Sequence, residues 1–101
     1  MKRIGIIKKV VPLSEIEVAK RDGSNGMLAK LGVLVETGCQ SIYVEFLQDT
    51  ARDVAKRVGE NQIVLIEYDC TAREFQDKNG QPRFDNQLRG RGLQIFSDRA
   101  F

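Results

Sequence analysis

The clearest alternation along the chain lies at residues 27–36, where Met27, Ala29, Leu31, Val33 and Val35 share one parity and Leu28, Lys30, Gly32, Leu34 and Glu36 take the other. A period of two places such sets on opposite faces of a strand. Thr37-Gly38-Cys39-Gln40 reads as a tight turn, and Gln40 to Leu47 as the returning strand. With Gly38 and Cys39 as loop residues, Val35 falls opposite Ile42, Val33 opposite Val44 and Leu31 opposite Phe46, so both strands bury the same face. The other face carries Leu34 beside Tyr43.

Upstream, Arg3 to Val11 is a strand rich in Ile and Val, but Ile4 and Ile6 lie on one parity and Ile7 and Val11 on the other. Gly5 and Pro12 mark bulges, bends or edges, and Ile16 and Val18 continue the segment beyond them, which predicts a long, kinked first strand. Lys20 to Gly26 is a loop by composition. Downstream, Ala51, Val54, Ala55 and Val58 recur at helical spacing within Asp49–Val58. Thr50 and Asp53 suggest a capping box, with acids in the first turn, Lys56 and Arg57 in the last, and Gly59 as the stop. So short a helix has to pack its one apolar stripe on the end of a sheet.

Ile63 to Tyr68 is a nearly continuous apolar run, predicted as a well-buried strand that extends through Phe75 into the turn Asp77-Lys78-Asn79-Gly80. Asn79-Gly80 is a strong signal for a two-residue hairpin loop, which would set Phe75 opposite Phe84. The return strand runs from Arg83 to Phe96, interrupted at Arg89-Gly90-Arg91-Gly92, where glycines permit the bend of a closing barrel.

Three antiparallel strands, a short helix and a two-strand hairpin make an all-β chain with one helix, in the order β1-β2-β3-α-β4-β5. That is the order of the five-stranded Greek-key barrel known as the OB-fold, which binds oligonucleotides and oligosaccharides through its strand 2–3 face and its 1–2 and 4–5 loops. An SH3-like barrel would lack a helix at this position. The 101 residues correspond to a single domain covering 1–101, with an expected radius of gyration near ~13 Å.

Composition narrows the chemistry. Lys+Arg number 16 against 14 Asp+Glu, a net charge of +2, so any binding of nucleic acid depends on where the cations sit. The chain has no His and no Trp; without His, the usual general base, nucleophile systems and most zinc sites are missing. Carboxylates are scattered, and no phosphate-cradling glycine motif is present. A non-enzymatic protein without metal or cofactor is expected. Cys39 and Cys70 match no metal or redox spacing and read as reduced, semi-buried residues of a cytoplasmic protein. No stretch resembles a signal peptide or membrane span.

The predicted loops carry cations beside flexible backbone. Lys20 and Arg21 lie in the 1–2 loop; Lys78 lies in the 4–5 loop, Asp77 to Pro82, which Arg73 and Arg83 flank. Lys30 and Tyr43 share the outward parity of strands 2 and 3, Phe75 and Phe84 lie along the hairpin, and Arg89 and Arg91 sit at the bend. Cations that follow a phosphate chain and rings on which bases stack make these eleven residues the candidate nucleic-acid interface. The bland alternatives are solvated loop cations, and a Phe75–Phe84 pair that only holds the hairpin together.

Val64-Leu65-Ile66-Glu67, then Arg73-Glu74-Phe75, then Asp77, Gly80, Arg83 and Phe84 resemble the strand 4–5 hairpin of bacterial single-stranded-DNA-binding proteins. The strand and helix from Ser41 to Val58 are similar in order and spacing, so the resemblance covers roughly the C-terminal two thirds. It implies that Phe75 occupies a base-stacking position, with Arg73 and Arg83 beside the nucleic-acid backbone. The chain departs from the family at Tyr68, where a glycine is usual, in lacking Trp, and in ending at Ser97-Asp98-Arg99-Ala100-Phe101 without a long acidic tail. The implied function is single-stranded DNA binding in replication, recombination or repair, with RNA as the alternative ligand. A dimer or tetramer is expected, with replication or phage proteins as partners. The rival is an OB module whose Leu34 and Tyr43 face binds protein; oligosaccharide binding is a weaker third reading.

Overall fold

The computed structural model describes residues 1–20 and 23–99. Five strands, β1 (Lys2–Ala19), β2 (Asn25–Thr37), β3 (Gln40–Leu47), β4 (Ile63–Gln76) and β5 (Pro82–Ser97), with one helix, α1 (Gln48–Ala55), follow each other in the expected order. The strands close into a barrel in the order β1-β2-β3-β5-β4. All pairings are antiparallel except the closure, where Glu45 of β3 meets Arg89 of β5 in parallel. This is the OB-fold.

The β2–β3 hairpin has the register its alternation demands: Val35 opposite Ile42, Val33 opposite Val44 and Leu31 opposite Phe46. Their inward side chains meet Ile7, Val64, Ile66, Tyr68 and Leu93 in one core. Each fully buried aliphatic or aromatic side chain of this kind contributes about 1.5–3 kcal/mol relative to exposure. β1 is long and kinked as expected, with register shifts between Ile7 and Lys9 and between Val11 and Ser14. Exposed Ile4 and buried Ile7 follow plain alternation, and the first shift, a bulge after Ile7, then exchanges the faces, so that Val10 packs on the core while Val11 is exposed.

Several expectations need correction. The helix spans Gln48–Ala55 rather than Asp49–Val58, and Thr50 does not cap it. Leu47 is the N-cap and provides no side-chain hydrogen bond. Gln48 enters at φ 57°, and its Oε1 accepts the Ala29 N–H at 3.2 Å, so a link to β2 sets the start. Beyond Ala55 the chain loosens into turns in which the amides of Arg57 and Val58 both reach the Val54 carbonyl. The buried Gln62 then ties this segment down: its Oε1 accepts the Gly59 N–H at 2.8 Å and its Nε2 donates to the Arg57 carbonyl at 2.9 Å. Ala51 and Val54 bury the stripe against the barrel.

Residues 63–68 are buried on one side only. Val64, Ile66 and Tyr68 point inward and Glu67 is exposed, so the apolar run conceals an ordinary alternation. The cysteines are free, and both are exposed rather than semi-buried.

The β4–β5 hairpin also departs from expectation. Its loop is the three-residue Lys78-Asn79-Gly80, and Phe75 pairs with Arg83 while Glu74 pairs with Phe84. The Gly80 N–H donates to the Asp77 carbonyl and the Asp77 N–H to the Gln81 carbonyl, each at 3.0 Å, with Gly80 at φ 77°. This is a type I turn closed by a left-handed glycine, the usual three-residue solution. Asp77 selects it: its Oδ1 accepts the amides of Asn79 and Gln81, both at 2.9 Å. One added loop residue shifts the pairing by one and sends Phe75 and Phe84 to opposite faces.

β5 is continuous through the expected bend. Glu67 pairs with Gly92 and Tyr68 with Gly90, which leaves Arg91 as the bulged residue. A Cβ at Gly90 would stand 2.3 Å from the Phe46 ring, so only glycine lets β5 pass over that ring to meet β3. The hairpin arms stretch the molecule to 46 × 31 × 20 Å and raise its radius of gyration to 15.4 Å. Among the described residues, no helix is long and apolar enough to cross a membrane.

Candidate nucleic-acid interface

Outward parity on β2 and β3 brings Lys30, Leu34, Tyr43 and Glu45 to one surface, because Leu34 pairs with Tyr43 and Gly32 with Glu45. Gly32 makes the arrangement possible. A Cβ there would lie 1.9 Å from the Tyr43 hydroxyl oxygen, so the phenol lies flat across the glycine of the neighbouring strand. The ring remains 43% exposed, with one side against the sheet and the other to solvent.

On β4 and β5, Arg73 pairs with Asp85, and Phe75 with Arg83. Arg73 Nη2 lies 3.1 Å from Asp85 Oδ2, and its guanidinium carbon stands 5.5 Å from the centre of the Phe75 ring. A guanidinium at that distance from a ring face gains cation–π attraction. Lys30 Nζ lies 2.8 Å from Glu45 Oε2. The two surfaces meet in a cavity of about 340 Å³ lined by Lys30, Tyr43, Glu45, Arg73, Asp85, Asn86, Gln87 and Leu88.

Of the sequence-predicted residues, the structure therefore brings Lys30, Tyr43 and Arg73 together, with Phe75 beside Arg73. The rest lie outside that lining. Arg83 pairs with Asp77 at 3.0 Å near the hairpin tip. Arg91, on the bulge, holds Asp69 at 2.5 Å, and Arg89 is half-buried at the barrel closure. Lys20 closes the β1–β2 loop through its amide to the Ser24 carbonyl at 2.7 Å. Lys78 is exposed at the tip of the other hairpin, and Arg21 lies outside the described residues. The register sets Phe84 beside Glu74, 73% exposed and on the face opposite Phe75 rather than across from it.

The carboxylates Glu45 and Asp85 and the amides Asn86 and Gln87 escaped the sequence reading. The spacing of Tyr43 and Glu45 on one parity could have revealed the first. Asp85 could not be found, because the two-residue turn sets Asn86 opposite Arg73. At the tip, the Asp77 carboxyl is held below the ordinary aspartate value, chiefly by the Gln81 amide and further by the Asn79 amide and Arg83.

Such a surface can hold a flexible anionic chain. Rings offer faces for stacking, and cations stand at neighbouring register positions. No family model matches the sequence, and no curated protein matches it significantly. Solved structures do match: a crystal structure of the mitochondrial single-stranded DNA-binding protein Rim1 of S. cerevisiae superposes with a TM-score of 0.58 at 13% identity, covering 96% of this chain and 93% of that one. A selenomethionine-labelled structure of the same protein gives a TM-score of 0.56 with the same identity and coverage. This likeness extends over nearly the whole length and establishes the fold.

Proposed function

We propose that the chain binds single-stranded DNA without catalysis, serving replication, recombination or repair. The observation that carries this reading is the groove in which Tyr43 lies open over Gly32 beside Lys30 and Arg73. The likeness to a protein described as single-stranded-DNA-binding supports it. Bases would stack on Tyr43 and Phe75, each stack contributing about 1–3 kcal/mol. Phosphates would follow Lys30, Arg73 and Arg83, with Lys20 and Lys78 of the two hairpin loops and Arg89 and Arg91 extending the track, and with Arg21, outside the described residues, as a further contact.

Association of copies belongs to the same reading. Ile4 and Phe96 are 62% and 53% exposed on the outward wall of β1, β4 and β5, an apolar surface that a second copy would cover. Sedimentation velocity would show a dimer or tetramer. The competing reading, a module that binds protein through the Leu34 and Tyr43 face, draws on Val11 and Ile16, also exposed on that face.

Fluorescence anisotropy of labelled oligo-dT and oligo-U, titrated at low and moderate salt, tests the proposal. Saturable binding that weakens with salt is expected, tighter for DNA. Absence of saturable binding to either oligomer would leave the protein-binding reading.

A further inference from the structure

Four cations of this surface sit in ion pairs. Lys30 is held by Glu45 at 2.8 Å, Arg73 by Asp85 at 3.1 Å, Arg83 by Asp77 at 3.0 Å and Arg91 by Asp69 at 2.5 Å. The acids share the outward faces of their cations: Asp85 lies directly opposite Arg73, and Glu45 lies one diagonal from Lys30. An approaching polyanion thus meets alternating charge. To neutralise a phosphate, Lys30 or Arg73 has to leave its carboxylate, which then remains beside the phosphate. Stacking carries no such penalty, since the rings of Tyr43 and Phe75 stay 43% and 42% exposed while the ion pairs are closed.

Resting on the single-strand reading above, we propose that Glu45 and Asp85 are specificity-determining residues, whose ion pairs with Lys30 and Arg73 withhold the groove from polyanions in general and reserve it for unpaired strands that stack on Tyr43 and Phe75. Specificity gained by opposing the wrong partner is a recognised route to discrimination. A duplex keeps its bases stacked within itself and can use only charge, so it loses most from the pairing.

The test compares the wild type with Glu45→Gln, Asp85→Asn and the double variant, using labelled oligo-dT and a duplex of the same length. Each phosphate newly neutralised steepens the salt dependence by about 0.9 for duplex against about 0.7 for a single strand. With two cations released, the single-strand to duplex affinity ratio should fall on the order of 3-fold at about 50 mM salt, duplex binding rising more than single-strand binding. Asp49→Asn is the control: it removes the same charge from the Arg52 pair on α1, outside the cavity lining, and should leave the ratio unchanged. Thermal melting checks that the variants remain folded.

Failure of the wild type to bind oligo-dT removes the single-strand reading and this inference with it. Wild-type binding with an unchanged ratio in the double variant overturns this inference alone. So does an equal fall in Asp49→Asn, which would show that only total charge matters.

Discussion

Gly32→Ala separates the geometry of the groove from the stability of the barrel. The new Cβ would lie 1.9 Å from Oη, 2.5 Å from Cζ and 2.8 Å from Cε1 of Tyr43, so the ring has to leave the sheet. It can do so cheaply, because it is 43% exposed and solvent lies on its far side. Replacing a strand glycine by alanine restricts the unfolded chain and gains about 0.4–1 kcal/mol, which offsets the lost packing of the ring. The melting temperature should therefore stay close to wild type.

Binding should not. Displacing a platform that contributes about 1–3 kcal/mol raises Kd by roughly 5- to 150-fold. A double-mutant cycle with Tyr43→Ala, read by oligo-dT anisotropy, completes the argument. Once Tyr43 is gone, Gly32→Ala has nothing to displace, and the double variant should bind like Tyr43→Ala alone. Wild-type affinity in Gly32→Ala, or losses that simply add, would refute the stacking role of Tyr43.

Phe75→Ala should lower oligo-dT affinity by about 5-fold or more, whereas Phe84→Ala on the opposite face should leave it unchanged; anisotropy on both variants checks the corrected register. Thr37 buries a hydroxyl without a hydrogen-bond partner, so Thr37→Val should stabilise the protein by about 1 kcal/mol, seen as a rise of roughly 4–8 °C in Tm. The depressed Asp77 pKa makes its stabilisation of the turn fully present above the ordinary aspartate range and lost as pH falls through the lower, folded-state value. In NMR titrations the Asn79 and Gln81 amides should hold their positions through the ordinary range and move only below it; movement within that range would contradict the assignment.

The barrel was legible wherever one face is buried, because a register slip there would turn every apolar residue outward. This is why Val33 opposite Val44 and Leu34 beside Tyr43 could be read from parity. Along β4 and β5 beyond Tyr68 and Gly90 most side chains are exposed, so burial no longer opposes a shift of one residue. The register there is set by Asp77 and its acceptance of the Asn79 and Gln81 amides. Asn79-Gly80 pointed to a shorter turn, and that one-residue error both paired the two phenylalanines and hid Asp85. The helix start was illegible for a related reason: Gln48 answers to the amide of Ala29, a residue nineteen positions away on another strand. Lys30, Tyr43 and Arg73 were identifiable as cations and a ring of suitable parity. Their carboxylate partners, which decide how the cations behave, appear only when the strands are paired.

Backbone amide shift mapping by two-dimensional NMR, with unlabelled oligo-dT added to the labelled protein, would locate the bound strand residue by residue. Saturable shifts are expected at Lys30 to Gly32, Tyr43 to Glu45, Arg73 to Phe75 and Asp85 to Leu88, with the Ile4 and Phe96 wall unmoved. Shifts centred on that wall, or on the Phe84 face of the hairpin, would contradict binding in the groove.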